Sequence, residues 1–264
     1  MNFKHLILGK EGAIATLSFN RPDRMNSMTV ESLEELIESA KIVSDDSGVR
    51  VLIVTGAGRA FCSGADMDFL RYLINLKSGA QFRRVLRDLV QKAINNLEKL
   101  EKPVIAAVNG PAAGGGAELA LACDFRIASE KARFIFTEVK LGIIPDGGGI
   151  PRLTRLLGYG KAKEIILTGK TIEAKEAEGI GLINKCVASE QLMAEAKELA
   201  DRLINCSPMA LGVAKRIIDH AMDFDLMSAL DMVGIAQSEL LNSEDFSEGI
   251  QAFLDKRKPV FKGK

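Results

Sequence analysis

The feature that most restricts the fold is a repeated order of buried strand, glycine-containing loop and helix. The two copies run through residues 49–55, 60–66 and a helix from Met67, and through residues 104–108, 110–116 and 118–123. Short strand-to-helix connections of this kind are typical of parallel strands covered by helices. The sequence therefore predicts an α/β fold built from repeated ββα-like units.

The two ends of the chain have different patterns. Residues 4–8 and 14–19 predict a strand hairpin, and Thr29 is a candidate cap for a helix over residues 32–43. The last part has only helical periodicity, in residues 192–204, 210–221, 227–241 and 246–256. We expect a catalytic core over residues 1–195 and a helical region over residues 196–264. The apolar faces of those helices need a partner, which predicts a homo-oligomer.

Composition narrows the classes of partner. The 264 residues are 47% hydrophobic, which suits one large domain with or without a helical extension. Lys plus Arg and Asp plus Glu are equal at 35 each, so no global charge draws the protein to nucleic acid or anionic lipid. Neither a signal-peptide pattern nor a membrane-spanning apolar run is present. We expect a soluble, cytoplasmic protein that binds neither nucleic acid nor membrane.

Cysteine and histidine give no catalytic or metal pattern. The four cysteines are scattered without a C-x-x-C pair, which predicts reduced and mostly buried thiols and no metal site. His5 and His220 lie far along the chain from the glycine loops, so a histidine-based triad is disfavoured. Cys62 lies next to one of those loops, and we interpret it as a packing residue.

The two glycine loops are candidates for binding negative charge. Gly64 allows a sharp turn that leaves the Ala65 N–H free, and Gly115 lies where the second loop enters its helix. Two such N–H groups that converge on one oxygen would form an oxyanion hole, worth about 3 kcal/mol per donor. The alternative, that both loops are only tight connections, stays open at this point.

Three acidic residues accompany these loops. Glu118 lies in a helix that is apolar on nearly every face, where an unpaired carboxylate would cost several kcal/mol. Glu138 follows the apolar run 134–136, and Asp146 opens the run of glycines 147–149. Ordinary surface acids are the alternative for Glu138 and Asp146. A buried acid such as Glu118 is more often functional, so the three are candidate catalytic residues.

At this point the chain resembles the enoyl-CoA hydratase/isomerase family, also called crotonases. The resemblance rests on ordered motifs along nearly the whole chain, at residues 20–22, 60–66, 102–110, 114–118, 123–124, 138, 141–142, 152–153, 167–169 and 177–182. So many motifs in order make the family resemblance specific. Membership of a family does not by itself fix the reaction.

The resemblance implies a fold, an assembly and a chemistry. It implies a spiral of ββα units followed by a C-terminal α-helical trimerisation region, assembled as a trimer or a dimer of trimers. It implies that Ala65 and Gly115 supply the oxyanion-hole N–H groups to a thioester oxygen. In hydratases of the family the positions of Glu118 and Glu138 hold the water that adds across the 2,3 double bond of a 2-enoyl-CoA. Coenzyme A is then part of the substrate, and no separate cofactor or metal is implied.

The resemblance also implies a coenzyme A site. The implied substrate-binding residues are Arg24, Met25, Ala65, Asp66, Met67, Asp68, Gly115, Phe253 and Lys256. Of these, Phe253 and Lys256 match an element that reaches the nucleotide from a neighbouring subunit, although a solvated helix end would have the same composition. We further expect an acyl tunnel lined by Met67, Phe69, Leu70 and Phe82.

Two positions depart from the family's hydratases. Asp146 stands where they have glycine, and Thr137 where they have proline. An acid at position 146 is similar to the dienoyl-CoA isomerases of the family, which however have aspartate in place of Glu118. The sequence therefore predicts an enoyl-CoA hydratase, with double-bond isomerisation by Glu138 and Asp146 as the alternative. A non-catalytic RNA-binding or assembly protein of the same fold is a third possibility, disfavoured by the balanced charge.

Overall fold

The computed structural model describes residues 3–264. The strands lie in two sheets, one of six strands and one of three. They are β1 Leu6–Glu11, β2 Ile14–Phe19, β3 Val51–Gly56, β4 Val104–Val108, β5 Ala112–Ala113, β6 Phe125–Ser129, β7 Arg133–Ile135, β8 Thr171–Glu173 and β9 Lys185–Val187.

Helices alternate with these strands and then dominate the end of the chain. They are α1 Val30–Asp45, α2 Met67–Ile74, α3 Gly79–Val85, α4 Lys92–Glu98, α5 Gly115–Leu121, α6 Gly149–Thr168, α7 Ala174–Gly179, α8 Leu192–Ile204, α9 Pro208–His220, α10 Leu226–Leu240 and α11 Glu244–Leu254. A π-helical segment, Leu86–Gln91, joins α3 to α4. Short 3-10 turns occur at Pro22–Arg24, Glu138–Leu141 and Ser189–Gln191. Thr29 caps α1, as predicted, because its side chain accepts the Ser32 N–H.

The six-stranded sheet has the order β1-β2-β3-β4-β6-β9. The predicted hairpin is confirmed, because β1 and β2 pair antiparallel through a turn at Gly12. β1 begins two residues later than predicted and continues to Glu11. The remaining pairs, from β2–β3 to β6–β9, are parallel. The carboxyl ends of β3 and β4 therefore lie side by side, and the two glycine loops leave the sheet at the same edge.

The three-stranded sheet completes the predicted ββα units. β4 is followed by β5 of the small sheet and then α5, and β6 is followed by β7 and then α6. β5 and β7 pair in parallel, and Cys62 of the first glycine loop bridges to Ala112 of β5. The fold class is confirmed as α/β with repeated ββα units. In each unit a strand of the small sheet follows a strand of the large sheet along the chain. The bridge from Cys62 to Ala112 thereby connects the first glycine loop to the second.

The core has two parts because alternate residues of a strand point to opposite faces. Leu52 and Val54 of β3 belong to the larger apolar cluster, whereas Val51 and Ile53 pack in a second cluster with Ala196 of α8. α8 thus covers one face of the large sheet. The predicted division between residues 195 and 196 falls inside this helix, and the two-region boundary stays a prediction.

The helices after α8 leave much apolar surface uncovered. α9 and α10 pack on each other. Large apolar side chains on and between them remain exposed in the single chain, at Ile218, Met222, Phe224, Leu226, Met227, Leu230, Met232, Val233 and Ile235. Over residues 3–264, no helix combines the length and the apolar character needed to cross a membrane.

Candidate active site

The two glycine loops meet at the edge of the large sheet. The Ala113 N–H donates to the Cys62 carbonyl at 2.9 Å, which fixes the second loop against the first. Gly64 has φ +85°, and a Cβ placed on it would lie 2.7 Å from the Ala113 carbonyl oxygen and 3.3 Å from the Gly115 nitrogen. Only glycine fits so close an approach in this backbone conformation. The sequence-predicted proximity of the loops is therefore a feature of the structure.

The two N–H groups expected to bind an oxyanion are available to a ligand. Within residues 3–264, the backbone N–H groups of Ala65 and Gly115 donate to no protein acceptor. Gly115 is the first residue of α5, so its N–H has no partner inside that helix. The Gly64 carbonyl accepts the Met28 N–H at 2.7 Å, which orients the peptide group that carries the Ala65 nitrogen. Their role as an oxyanion hole stays a prediction.

Glu118 is a buried carboxylate whose donors are backbone N–H groups of the glycine run 147–149. Its residue is 2% exposed, and Oε1 accepts the Gly149 N–H at 2.7 Å. Burial raises the pKa of Glu118 to about 7, the Gly149 N–H opposes that rise, and the negative charges of Asp146 and Glu138 add to it. A carboxyl group with such a pKa can take up or release a proton near neutral pH.

Glu138 begins the 3-10 turn Glu138–Leu141 and is unusual in its lack of partners. Both carboxylate oxygens are buried, and no residue in the described range 3–264 forms a hydrogen bond with either. A Cβ placed on Gly114 would lie 3.5 Å from Glu138 Oε1, so the carboxylate lies beside the second glycine loop. Burial raises the pKa of Glu138, and the nearby Asp146 raises it further. An unpartnered buried carboxylate is costly unless a ligand or water meets it.

Asp146 lies on the loop between this turn and α6. Burial raises the pKa of Asp146 above its ordinary value, and its charge acts on both Glu118 and Glu138. Three mutually repelling carboxyl groups hold protons jointly, so their titration belongs to the cluster more than to any one member. The structure thus brings the three predicted acids together beside the glycine loops.

A cleft of about 660 Å³ opens next to Ala65. Its lining includes the predicted Arg24, Ala65, Asp66, Met67 and Asp68, and also Arg21, Ser27, Ser63 and Arg71. The arginine side chains can bind phosphate groups. The Asp66 carboxylate has protein partners instead, because it caps α2 and accepts bonds from Arg21 Nη1 at 3.1 Å and Ser27 Oγ at 3.0 Å.

Several predicted binding residues lie outside this cleft. Met25 adopts a left-handed conformation and accepts the Ser63 N–H through its carbonyl, which fixes the neighbouring backbone. Phe253 is 81% exposed near the end of α11, and Lys256 follows that helix; neither lines the cleft of its own chain. Their proposed contact with a neighbouring subunit stays a prediction.

The residues expected to line the acyl tunnel differ in burial. Phe69 is buried and stacks on Tyr72 with ring centroids 6.3 Å apart. Phe82 lies on α3 and is half-buried, whereas Met67 is 64% exposed. Phe69 therefore packs in the core next to the cleft, and the tunnel stays a prediction.

Sequence reasoning missed three kinds of residue. Arg21 was noted only as part of a family motif, and its position in a turn gave no sign that it would reach Asp66. Arg71 follows the predicted loop on α2, where it could have been found as a cation near a phosphate cleft. Gly149 appears in the sequence analysis only as part of a run of glycines, whereas its N–H is a donor to Glu118.

The remaining sequence expectations concern metals and Cys62. In the described residues 3–264, no cluster of three or more His, Cys, Asp or Glu side chains could hold a metal ion. Cys62 is fully buried, and burial raises the pKa of its thiol to about 12. It is therefore a thiol at neutral pH and packs in the core, as predicted.

Similarity to known proteins agrees with this geometry. The family described as enoyl-CoA hydratase/isomerase matches residues 9–264. The chain is 42% identical to the short-chain-enoyl-CoA hydratase of Clostridium acetobutylicum, over 98% of this chain and 97% of that protein. It is 41% identical to the crotonyl-CoA hydratase of Syntrophomonas wolfei, over 99% of each. The crystal structure of an enoyl-CoA hydratase from Bacillus anthracis superposes with a TM-score of 0.93 at 38% identity, covering 99% of this chain and 100% of that one.

These matches extend over nearly the full length of the chain and of its relatives. The α/β fold is thus shared with solved structures that are described as enoyl-CoA hydratases. The chain belongs to the enoyl-CoA hydratase/isomerase family. The family resemblance noted in the sequence is confirmed.

Proposed function

We propose that the protein is an enoyl-CoA hydratase that adds water across the 2,3 double bond of a 2-enoyl-CoA thioester. The observation that carries the proposal is the pair Glu118 and Glu138, two buried carboxyl groups with raised pKa values beside two free N–H groups. Relatives of similar length carry the names short-chain-enoyl-CoA hydratase and crotonyl-CoA hydratase, which support the same reaction.

The proposed reaction uses Glu118 in its ionised form and Glu138 in its protonated form. Ionised Glu118 accepts a proton from water as the water oxygen bonds to C3, and protonated Glu138 donates a proton to C2 on the same face. Negative charge on the thioester oxygen is met by the N–H groups of Ala65 and Gly115. After the addition Glu118 is protonated and Glu138 is ionised, and proton exchange between them restores the starting state. Each proton transfer contributes roughly 10²–10⁴-fold.

The same proposal assigns the cleft to coenzyme A. Arg24 and its neighbouring arginines bind phosphate, and the backbone around Ala65 lies at the junction of the cleft and the carboxylates. Phe253 and Lys256 contact the nucleotide from an adjacent subunit. The exposed apolar side chains of α9 and α10 support a homo-oligomer, a trimer or a dimer of trimers, which light scattering of the purified protein tests.

Glu138→Gln is the direct test of hydration. Gln keeps the size of the side chain but cannot deliver a proton, so loss of the enoyl absorbance of crotonyl-CoA should slow by several orders of magnitude. A matched control is Glu130→Gln, an exposed acid near the same small sheet. Undiminished turnover of Glu138→Gln would refute the assigned role.

A second candidate function rests on Asp146. Its carboxyl group is coupled to Glu138, so the two could move a proton between substrate carbons and isomerise a 3-enoyl or 3,5-dienoyl thioester. Mass spectrometry separates the reactions, because hydration adds the mass of water and isomerisation adds none. Isomerisation at the parent rate by Asp146→Asn would remove Asp146 from that role.

Two further expectations have simple tests. The RNA-binding alternative predicts retention on heparin at moderate salt, whereas an acyl-CoA enzyme should be retained on a coenzyme A resin and not on heparin. The cytoplasmic location expected from the sequence stays a prediction, which fractionation of the producing cells tests.

A further inference from the structure

The loop that carries Asp146 and leads into Gly149 accepts hydrogen bonds from two side chains that have no part in the proposed reaction. Arg152, in the first turn of α6, donates through Nη1 to the Gly147 carbonyl at 3.1 Å. Gly148 has φ +112°, and a Cβ placed on it would lie 1.9 Å from Arg152 Nη1. The guanidinium thus occupies the space that a side chain at position 148 would need.

Arg152 is itself fixed from the opposite direction by α4. Nε and Nη2 donate to both oxygens of Glu98 at 2.8 and 2.6 Å, and Nη2 also donates to Asn95 Oδ1 at 2.6 Å. The Arg152 side chain is only 13% exposed. A bidentate, partly buried pair with a third acceptor leaves the planar group little freedom.

A second contact from the same helical stretch holds the start of the loop. Gln91 Nε2 donates to the Asp146 carbonyl at 2.9 Å. Gln91, Asn95 and Glu98 are spaced by four and three residues, so they lie along one face of the helix. Gln91 ends the π-helical segment Leu86–Gln91, whose wider turn sets the rotation of this face. π-Bulges inside helices occur frequently at functional sites.

We infer that Arg152 is a positioning residue: held by Glu98 and assisted by Gln91, it fixes the loop so that the Gly149 N–H points at Glu118. The inference rests on the proposed function, because it concerns how Glu118, the proposed base for hydration, is kept in its ionised form. The Gly149 N–H stabilises ionised Glu118, so a loosened loop weakens that bond and favours the protonated acid. Fewer molecules then hold the base form at neutral pH.

The charged groups near Glu118 come from the 3-10 turn, from the loop before α6 and from α6 itself. Glu138 from the 3-10 turn and Asp146 from the loop face it and disfavour its ionised form. α6 contributes Arg152, whose charge is paired with Glu98 of α4. β5, Ala112–Ala113, carries no titratable side chain.

The test measures the acidic limb of the kcat/KM–pH profile in Arg152→Gln and Gln91→Met. We expect the pH at the midpoint of this limb to rise by about one unit in Arg152→Gln. A shift of this size corresponds to the free energy of one hydrogen bond to a charged group. A smaller upward shift is expected in Gln91→Met. The control is Arg155→Gln on the same helix, whose guanidinium pairs with Asp223 away from the loop, and its midpoint should equal the parent's.

A second readout needs no substrate. The carboxyl ¹³C shift of Glu118, assigned by its loss in Glu118→Gln, follows the titration directly. The inference can therefore be tested even in a protein that hydrates no enoyl-CoA. Conversely, an active parent with an unshifted Arg152→Gln leaves the proposed function intact and overturns the inference alone.

Arg152→Lys separates positioning from charge. Lysine keeps the positive charge but lacks the planar fork, so the upward shift should persist. A parent-like midpoint in Arg152→Lys would show that charge alone acts and would overturn the inference. If Arg152→Gln fails to fold, Arg152→Lys decides by the same criterion, and an upward shift in Gln91→Met gives independent support. A uniform rate loss in Arg152→Gln or Arg152→Lys, without a shift of the pH midpoint, would also overturn the inference.

Discussion

Two buried acids in different regions of the molecule have the same exposure and opposite surroundings. Glu118 in the candidate active site and Asp245 near the C-terminus are each 2% exposed. Asp245 accepts from Ser207 Oγ at 2.7 Å and from the N–H groups of Lys262 and Gly263 at 2.7 to 3.2 Å. We call Ser207, Asp245 and residues 262–263 the C-terminal latch. Glu118 accepts a 2.7 Å hydrogen bond from the Gly149 N–H, with a weaker contribution from the Gly147 N–H, and faces two acidic neighbours.

The difference separates a structural acid from a reactive one. A buried carboxylate with several donors, such as Asp245, ties together the segments that supply those donors. Glu118 has fewer donors and two acidic neighbours, and its raised pKa suits proton exchange near neutral pH. Burial alone therefore does not identify a catalytic acid, and the number of donors around it is the more informative property.

The largest expected contrast is in activity. Glu118→Gln removes the proposed base and should reduce kcat/KM for crotonyl-CoA by about 10²–10⁴-fold. Asp245→Asn keeps the shape of the latch and should leave kcat/KM within about twofold, since it touches no residue of the site. Steady-state kinetics on both variants checks this. Equal losses in the two would end the distinction between the regions.

Glycines with positive φ extend the comparison to the backbone. Gly64→Ala would place a Cβ 2.7 Å from the Ala113 carbonyl oxygen, so the turn must shift and carry the Ala65 N–H with it. We expect a loss of about 10²–10³-fold in kcat, as for removal of one oxyanion-hole donor. Gly263→Ala, at φ +75° in the latch, should lower the melting temperature without lowering kcat. Full activity in Gly64→Ala would contradict the role of the turn.

The raised pKa of Glu118 makes the free energy of unfolding depend on pH. The pKa of Glu118 is about 7 in the fold against an ordinary value of 4.5, a gap that corresponds to about 3 kcal/mol. Folding favours the protonated acid, so this contribution is fully present below pH 4.5 and is lost as pH rises through about 7. Glu118→Gln should therefore unfold at higher urea concentration than the parent at pH 8 and show little gain at pH 4. A gain of equal size at both pH values would argue against the raised pKa.

The smallest expected effect is in the latch. Asp245→Asn replaces one acceptor oxygen with an amide group that opposes the donors from residues 262–263, at a cost of about 1–3 kcal/mol. Urea unfolding at pH 7 measures it, with the exposed Asp255→Asn as the control. No change in unfolding free energy would mean that the latch is not closed in solution.

The sequence predicted those parts of the site that depend on local pattern. The glycine loops followed buried strands and preceded helices, so parallel pairing had to bring Gly64 and Gly115 to one edge of the sheet. Glu118 was recognisable because a charged residue interrupted an apolar helix. In each of these cases neighbours in sequence determine the outcome.

The parts that were missed depend on partners distant in sequence. Arg152 and Glu98 are 54 residues apart, and Gln91 and Asp146 are 55 apart. No periodicity links such pairs, and a polar residue on an amphipathic helix is expected to face water. The C-terminal latch was missed for the same reason, because Asp245 lies 17 residues before Lys262 and 38 residues after Ser207.

The wide π turn at Leu86–Gln91 gives the long helix two independently phased halves. Removing one residue from that turn would restore a regular α-helix. It would rotate the first half by about 100° relative to the helix face that carries Asn95 and Glu98. α3, which carries Phe82, could thus be re-aimed while Asn95 and Glu98 keep their hold on Arg152. A one-residue deletion accordingly tests the predicted place of Phe82 in the acyl tunnel, since the choice of acyl group should then change while hydration persists.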